Sequence, residues 1–445
     1  MTSPTASSPR DFIPLLIHEV LIKSIHPRKA VQGISSQIPQ REIPFVREVL
    51  YGVLRNLIYL DWRLSFYLKN PDKLPIYTIN NLRSAAYQIL FMRVPDWAAV
   101  DEAVKSEKLY GRHPGLINAV LRNLLRETTP PELPRKDAEG LSISYSHPRW
   151  LVKRWLKRFG KGETESLLIT NNKIPPITLR INTLRTDRSG FSAILESHGI
   201  PHEFTRYSPQ GIRLSSPEDL EKLIEYSGLF YVQDEAAQIV TMLLEPRPGE
   251  KLLDACASPG GKASHIAELT KEEADITAVE LDEERLSTLR SNLATMGIKS
   301  VNPFLGDIME MDAKDLFDRI LLDAPCSSLG VIRRNPDIRY RLSPSELKRR
   351  AERELQMLIR VSKFLKPGGR LLYTVCSFEE EEGNMVVQGF LNKTTDFYII
   401  DIAEVEIAHT LGIIDEFRTP EGFFTSLPHR HEMDGFFGAL LGRKV

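Results

Sequence analysis

The chain has 445 residues, of which 42% are apolar and 26% charged, with 58 Lys and Arg against 59 Asp and Glu and only three cysteines. That balance excludes a disordered chain, and the length leaves room for about three domains of roughly 150 residues each. Apolar runs are broken by charge before the roughly 18 residues of a bilayer helix, and the opening MTSPTASSPRDF lacks a hydrophobic signal core. A cytoplasmic protein with no membrane partner is therefore expected, with Cys256, Cys326 and Cys376 as free thiols.

The near-neutral total conceals a division. Residues 1–200 hold 29 Lys and Arg against 18 Asp and Glu, a balance of +11, which leaves −12 for the remainder. A basic region joined to an acidic one is the pattern of a protein that meets a polyanion with one part and does chemistry with another.

From residue 10 to about 127, stretches such as PFVREVLYGVLRNLIYLDWRLSFYL repeat apolar residues at i, i+3, i+4 and i+7, which predicts an all-α domain. The Pro- and Gly-containing TTPPELPRKDAEG then breaks the pattern, placing a boundary near residues 128–140. In YSHPRWLVKRWLKRFG, Ser146 is expected to cap a helix that Gly160 closes. Leu151, Val152, Trp155, Leu156 and Phe159 fall on one side of it, and Lys153, Arg154, Lys157 and Arg158 on the other. That basic stripe is either an RNA-phosphate contact or a solvated face. Short strand-like and helical pieces up to about residue 230 predict a small α+β subdomain. The expected domains are thus 1–135, 136–230 and 231–445.

From Glu250 the pattern becomes β-α repeats: KLLDACA, ADITAVEL, VNPFLGD, DRILLDAP and RLLYTVCS as strands, with helices between them. This predicts a doubly wound, Rossmann-like α/β domain with a parallel sheet and right-handed crossovers, whose ligands bind beyond the carboxyl ends of the strands. The first strand ends in the turn Asp254, Ala255, Cys256, Ala257, Ser258, Pro259, Gly260, Gly261, Lys262, where glycine lets backbone approach a ligand and a helix N-terminus favours an anion. It matches neither the dinucleotide fingerprint nor the P-loop. Glu280, ending the second strand, suits ribose hydroxyls or caps a helix. Asp307, after the third, suits an adenine amino group. Asp323 and Cys326 end the fourth strand, and Cys376 the fifth. His429 and His431 lie two residues apart with no acid or thiol at metal spacing, so no metal is expected.

DACASPGGK, ITAVELD, GD, LLDAPCSSLGVIRRNPDI and LLYTVCSFEEEEGNMVV resemble the motif series of S-adenosylmethionine-dependent RNA cytosine-C5 methyltransferases, and DGFFGALL resembles that family's final strand. VREVLYGVLRNL, LRSAAYQILFMRVPDWAAVDEAV and GLINAVLRNLLRE resemble NusB-like RNA-binding domains. The combination is similar to the members that modify one cytosine of 16S rRNA. The resemblance implies a class I methyltransferase domain and S-adenosylmethionine held by Cys256–Lys262, Glu280, Asp307 and Asp323. It implies Cys376 as the nucleophile, Asp323 on the base, and Cys326 assisting release. Lys262 either orients groups at the turn or caps the site. Arg333, Arg334 and Arg339 either clamp neighbouring nucleotides or are solvated. The expected partner is 16S rRNA or a small-subunit assembly intermediate, met by a monomer. Val375 stands where the family usually has Thr, and Glu280 where it usually has Asp, which bears on the placing of the thiol and the reach of the acid. Methylation of tRNA, of 23S rRNA or of DNA cytosine, or a non-catalytic RNA-binding factor, are the competing readings. The paired strand-end thiols and the helical N-terminal domain disfavour the DNA reading.

Overall fold

The computed structural model describes residues 8–129, 131–133, 137–312 and 316–445. The opening Met1–Ser7 and four residues of the expected boundary, 130 and 134–136, lie outside them. Among the described residues no helix is long and apolar enough to cross a membrane. The chain forms two compact units, Met1–Lys173 with Ile332–Ser343, and Ile174–Val331 with Pro344–Val445.

The first unit is helical: α1 (Ile13–Leu21), α2 (Pro27–Ile34), α3 (Ile43–Ser65), α4 (Ile76–Phe91), α5 (Asp96–Tyr110), α6 (Pro114–Arg126), α7 (Ala138–Tyr145) and α8 (Arg149–Asn172). The apolar face of α3, with Val46, Leu50, Val53 and Leu57, joins Leu16, Leu82 and Leu121 in one core. Helices α3 and α4 approach closely at Gly52, where a Cβ would lie 1.9 Å from the Tyr87 ring. The sequence reading groups α7 and α8 with the strands that follow, but they cluster with the helices. Ser146 does not cap α8. It takes a left-handed conformation that ends α7, and its hydroxyl accepts from Ile58 N at 2.8 Å. Gly160 does not end α8 but interrupts it at φ 74°, after which helix resumes to Asn172.

In the second unit, β1 (Ile177–Ile181), α9 (Arg188–Ser197), β2 (His202–Phe204), β3 (Gly211–Leu214) and β4 (Phe230–Val232) build a small antiparallel sheet in the order β2-β3-β1-β4. Then follow α10 (Glu235–Met242), β5 (Lys251–Asp254), α11 (Gly261–Leu269), β6 (Asp275–Glu280), α12 (Glu283–Met296), β7 (Val301–Leu305) and β8 (Phe317–Asp323). The four-residue α13 (Ile338–Arg341) lies in the segment that clusters with the first unit. The chain closes with α14 (Pro344–Ser362), β9 (Leu365–Val375), α15 (Asn384–Leu391), β10 (Phe397–Ile400), β11 (Phe424–Ser426) and β12 (Phe436–Arg443). The large sheet runs β10-β12-β9-β8-β5-β6-β7, parallel from β9 to β7, with β12 antiparallel to β9. Strand order reverses between β5 and β8, so a crevice opens at their carboxyl ends.

A buried ion pair ties the small sheet of this unit to α11. Arg180 on β1 and Glu268 on α11 are both fully buried and meet at 2.7 Å. The same guanidinium donates to Ser264 Oγ at 2.8 Å and to the Gly261 carbonyl. Arg180 thus anchors the amino end of α11, the helix that opens the glycine turn.

Candidate active site

The turn after β5 depends on its glycines. Gly260 sits at φ 102°, a region that favours residues without a Cβ, and a Cβ there would come 2.6 Å from Leu289. The turn and the ends of β6, β7, β8 and β9 enclose a cavity of about 450 Å³, lined among others by Ser258, Glu280, Asp307, Asp323, Cys326 and Cys376. A smaller cavity of about 170 Å³ shares Cys256, Ser258 and Asp323 with it and adds Asp254, Lys262 and Tyr231.

Glu280 is 5% exposed, accepts from Asp282 N at 3.1 Å and pairs with Arg285 at 3.4 Å. It is Asp282 that caps α12, through Arg285 N at 2.9 Å, so Glu280 faces the cavity and does not serve as the helix cap. Asp307 accepts from Met309 N at 2.9 Å. Lys262 Nζ donates to Asp323 Oδ2 at 2.6 Å. Burial pulls the Lys262 ammonium down, but Asp323, with Cys376 and Asp254, outweighs it and leaves the pKa raised. Beneath the turn, Asp254 is wholly buried, and among the described residues its Oδ2 has no hydrogen-bond partner. Burial first, and then repulsion from Asp323, push it up to about 7. Burial also raises the Cys256 thiol, which stays protonated.

Cys326 and Cys376, 50 residues apart in sequence, meet with their sulfurs 3.4 Å apart, and Cys376 Sγ lies 3.4 Å from Ser328 Oγ. The two thiols are unequal. The hydrogen bond from Cys326 lowers Cys376 against the opposing effect of burial, while the same bond and burial raise Cys326 well above the ordinary thiol range. Val375 is buried in the apolar layer opposite Phe437, and Cys376 keeps both contacts with Val at that position.

Other expected residues lie elsewhere. Lys153, Lys157 and Arg158 are exposed and Arg154 half-buried on α8, while Leu151, Val152 and Trp155 are buried on its other side. Arg334 is half-buried. The expectation that Arg333 and Arg339 clamp nucleotides is corrected by their burial: Arg333 is 4% exposed and Arg339 fully enclosed. Arg339 donates to the Ser146 carbonyl at 3.0 Å and to Asn172 Oδ1 at 2.9 Å, so it holds the Ile332–Ser343 segment within the helical unit. His431 accepts from Leu427 N at 2.8 Å and stacks on Phe417. Sequence reasoning placed Asp254 at the end of the first strand but gave it no role. It gave no role to Glu382 either, since a run of four glutamates reads as a solvated face, nor to Glu354 on α14.

Residues 241–442 match the family described as 16S rRNA methyltransferase RsmB/F, residues 147–221 the ferredoxin-like domain of RsmF/B-like methyltransferases, and residues 18–126 the NusB family. The chain is similar to the probable ribosomal RNA small subunit methyltransferase B of Bacillus subtilis, at 31% identity over 92% of each chain. It is also similar to the ribosomal RNA small subunit methyltransferase B of Salmonella newport, at 35% identity over 92% of this chain and 93% of that one. Among solved structures, PH0851 matches with a TM-score of 0.81 and 26% identity, covering 98% of this chain and 99% of its own.

Proposed function

The chain belongs to the RsmB/F family of 16S rRNA methyltransferases, and on that premise we propose that it methylates C5 of one cytosine in 16S rRNA, from S-adenosylmethionine, through a Cys376–C6 adduct. The observation that carries this reading is the pair of thiols, 3.4 Å apart, lining the switch-point cavity.

The cavity residues fit the cofactor. Glu280 takes the ribose hydroxyls and Asp307 the adenine amino group, while the Cys256–Lys262 backbone at the start of α11 receives the carboxylate. The buried, unpartnered Asp254 Oδ2 is an acceptor for the ammonium group. When bound, S-adenosylmethionine supplies an electrophilic methyl group on a sulfonium.

Cytosine C5 is a poor nucleophile, and the protein corrects this from the C6 side. The Cys376 thiolate adds to C6, the C5=C6 electron pair moves to C5, and C5 takes the methyl group. Lys262 holds one oxygen of Asp323, and the other is free to accept from the cytosine N4 amino group and orient the ring. For release, Cys326 gives its thiol proton to the departing Cys376 sulfur and takes the C5 proton. The C5–H pair becomes the new C5=C6 bond as the C6–S bond breaks, so both thiols are regenerated. The base must leave its stack to reach this cavity, which suits an RNA loop. Lys153, Arg154, Lys157, Arg158 and Arg334 are the phosphate contacts in this reading. Bisulfite sequencing of rRNA from a deletion strain should show one 16S cytosine lose its methyl group and regain it on complementation. An unchanged 16S pattern would overturn the proposal.

A further inference from the structure

Two acids outside this scheme lie behind Cys326. We propose that Glu382, backed by Glu354, is the positioning residue that holds Cys326 in place for the release step, an inference that rests on the reading above. Glu382 accepts from the backbone N of Ser327, the residue after Cys326, at 2.6 Å and from the Ser327 hydroxyl at 2.5 Å. From the other side, Arg350 donates to the Cys326 carbonyl at 2.8 Å. The single peptide unit that follows the thiol is thus held at both edges, by a carboxyl and by a guanidinium, and hydrogen bonds to charged groups are the strong ones.

Glu354 on α14 and Glu382 are both fully buried, and among the described residues neither lies within 4 Å of a cation. Burial raises both carboxyls, and Glu382 adds to it at Glu354, which is raised to about 9. The Tyr373 hydroxyl lies 2.5 Å from the Glu382 backbone carbonyl and donates to Glu354 Oε2 at 3.1 Å. Both carboxyl oxygens of Glu382 accept from Ser327. An apolar filling would stabilise the fold more cheaply than two buried acids. Of the run Glu379–Glu382, Glu380 is exposed and Glu381 half-buried, while Glu379 and Glu382 are buried.

The test uses the full chain, labelled S-adenosylmethionine and a 16S rRNA transcript, and follows methyl transfer and covalent protein–RNA separately on denaturing gels. Glu382→Ala should form the adduct and transfer the first methyl within about threefold of the parent rate, yet release RNA at least about tenfold more slowly. Glu382→Gln, which keeps an acceptor for Ser327 N, should recover most of that loss. The groups facing the acid pair are Tyr373 from β9, Arg350 from α14, Glu379 after β9 and Cys326 after β8. As pH rises through about 9, Glu354 ionises and release by the parent should slow, a limb that Glu354→Gln should lack. Parental release by Glu382→Ala, or slow adduct formation instead of slow release, overturns the proposal. If Glu382→Ala does not fold, a Glu354→Gln profile as steep as the parent's overturns it. If Cys326→Ala traps no adduct, the release reading itself fails and Glu382 loses its role with it; if Cys326→Ala traps adduct and Glu382→Ala does not, only the present inference fails.

Discussion

The Cys326 and Cys376 sulfurs, at the ends of neighbouring strands, lie 3.4 Å apart, within hydrogen-bond reach of each other. Their hydrogen bond lowers Cys376 and raises Cys326, so the two titrate as a pair.

Cys376→Ala should abolish turnover and any covalent link to RNA carrying 5-fluorocytosine, since no adduct forms without the thiolate. Cys326→Ala should still attack and methylate but accumulate protein bound to ordinary RNA through denaturing electrophoresis. The reverse pattern would reassign the nucleophile to Cys326, the arrangement expected of DNA cytosine methyltransferases.

Asp307→Ala should weaken S-adenosylmethionine binding by about 1 to 3 kcal/mol in calorimetry, through a lost hydrogen bond and an unpaired amino group on the ligand. Unchanged affinity would remove Asp307 from the cofactor site.

Reversing charge at Lys153, Arg154, Lys157 and Arg158 should weaken rRNA binding and flatten its dependence on salt, with cofactor affinity preserved. Deleting the helices is a poorer probe, because the buried Arg339 of the Ile332–Ser343 segment would lose its partners. A salt slope equal to the parent's would assign the stripe to solvent.

Asp254 and Glu354 should make the ligand-free protein less stable as pH rises. Burial, chiefly, raises each above its unfolded value, to about 7 and about 9, so the folded state binds the extra proton. Their contribution is fully present below the unfolded pKa near 4 and is lost as pH climbs through the folded one. Thermal melts should therefore fall between pH 5 and 9. Asp254→Asn should flatten that decline only up to about pH 7, and Glu354→Gln as far as about pH 9. A melting temperature independent of pH across that range would contradict both assignments.

Local chemistry alone determined much of this protein. Apolar periodicity separates helices from strands, β-α alternation implies a parallel sheet, and in such a sheet the residues at the strand ends face the ligand. Asp254–Lys262, Glu280, Asp307, Asp323, Cys326 and Cys376 could therefore be placed on one rim before any contact was known. What periodicity cannot carry is which side chains meet. Strands β8 and β9 lie side by side, and that adjacency brings two thiols 50 residues apart within hydrogen-bond reach and makes their pKa values diverge. Charge in the sequence likewise reads as exposure, since solvation is the ordinary state of an ionised group. Only tertiary packing reveals that Arg339 is enclosed by backbone carbonyls and amide groups, and that Glu382 of a glutamate run is buried and holds the backbone beside Cys326.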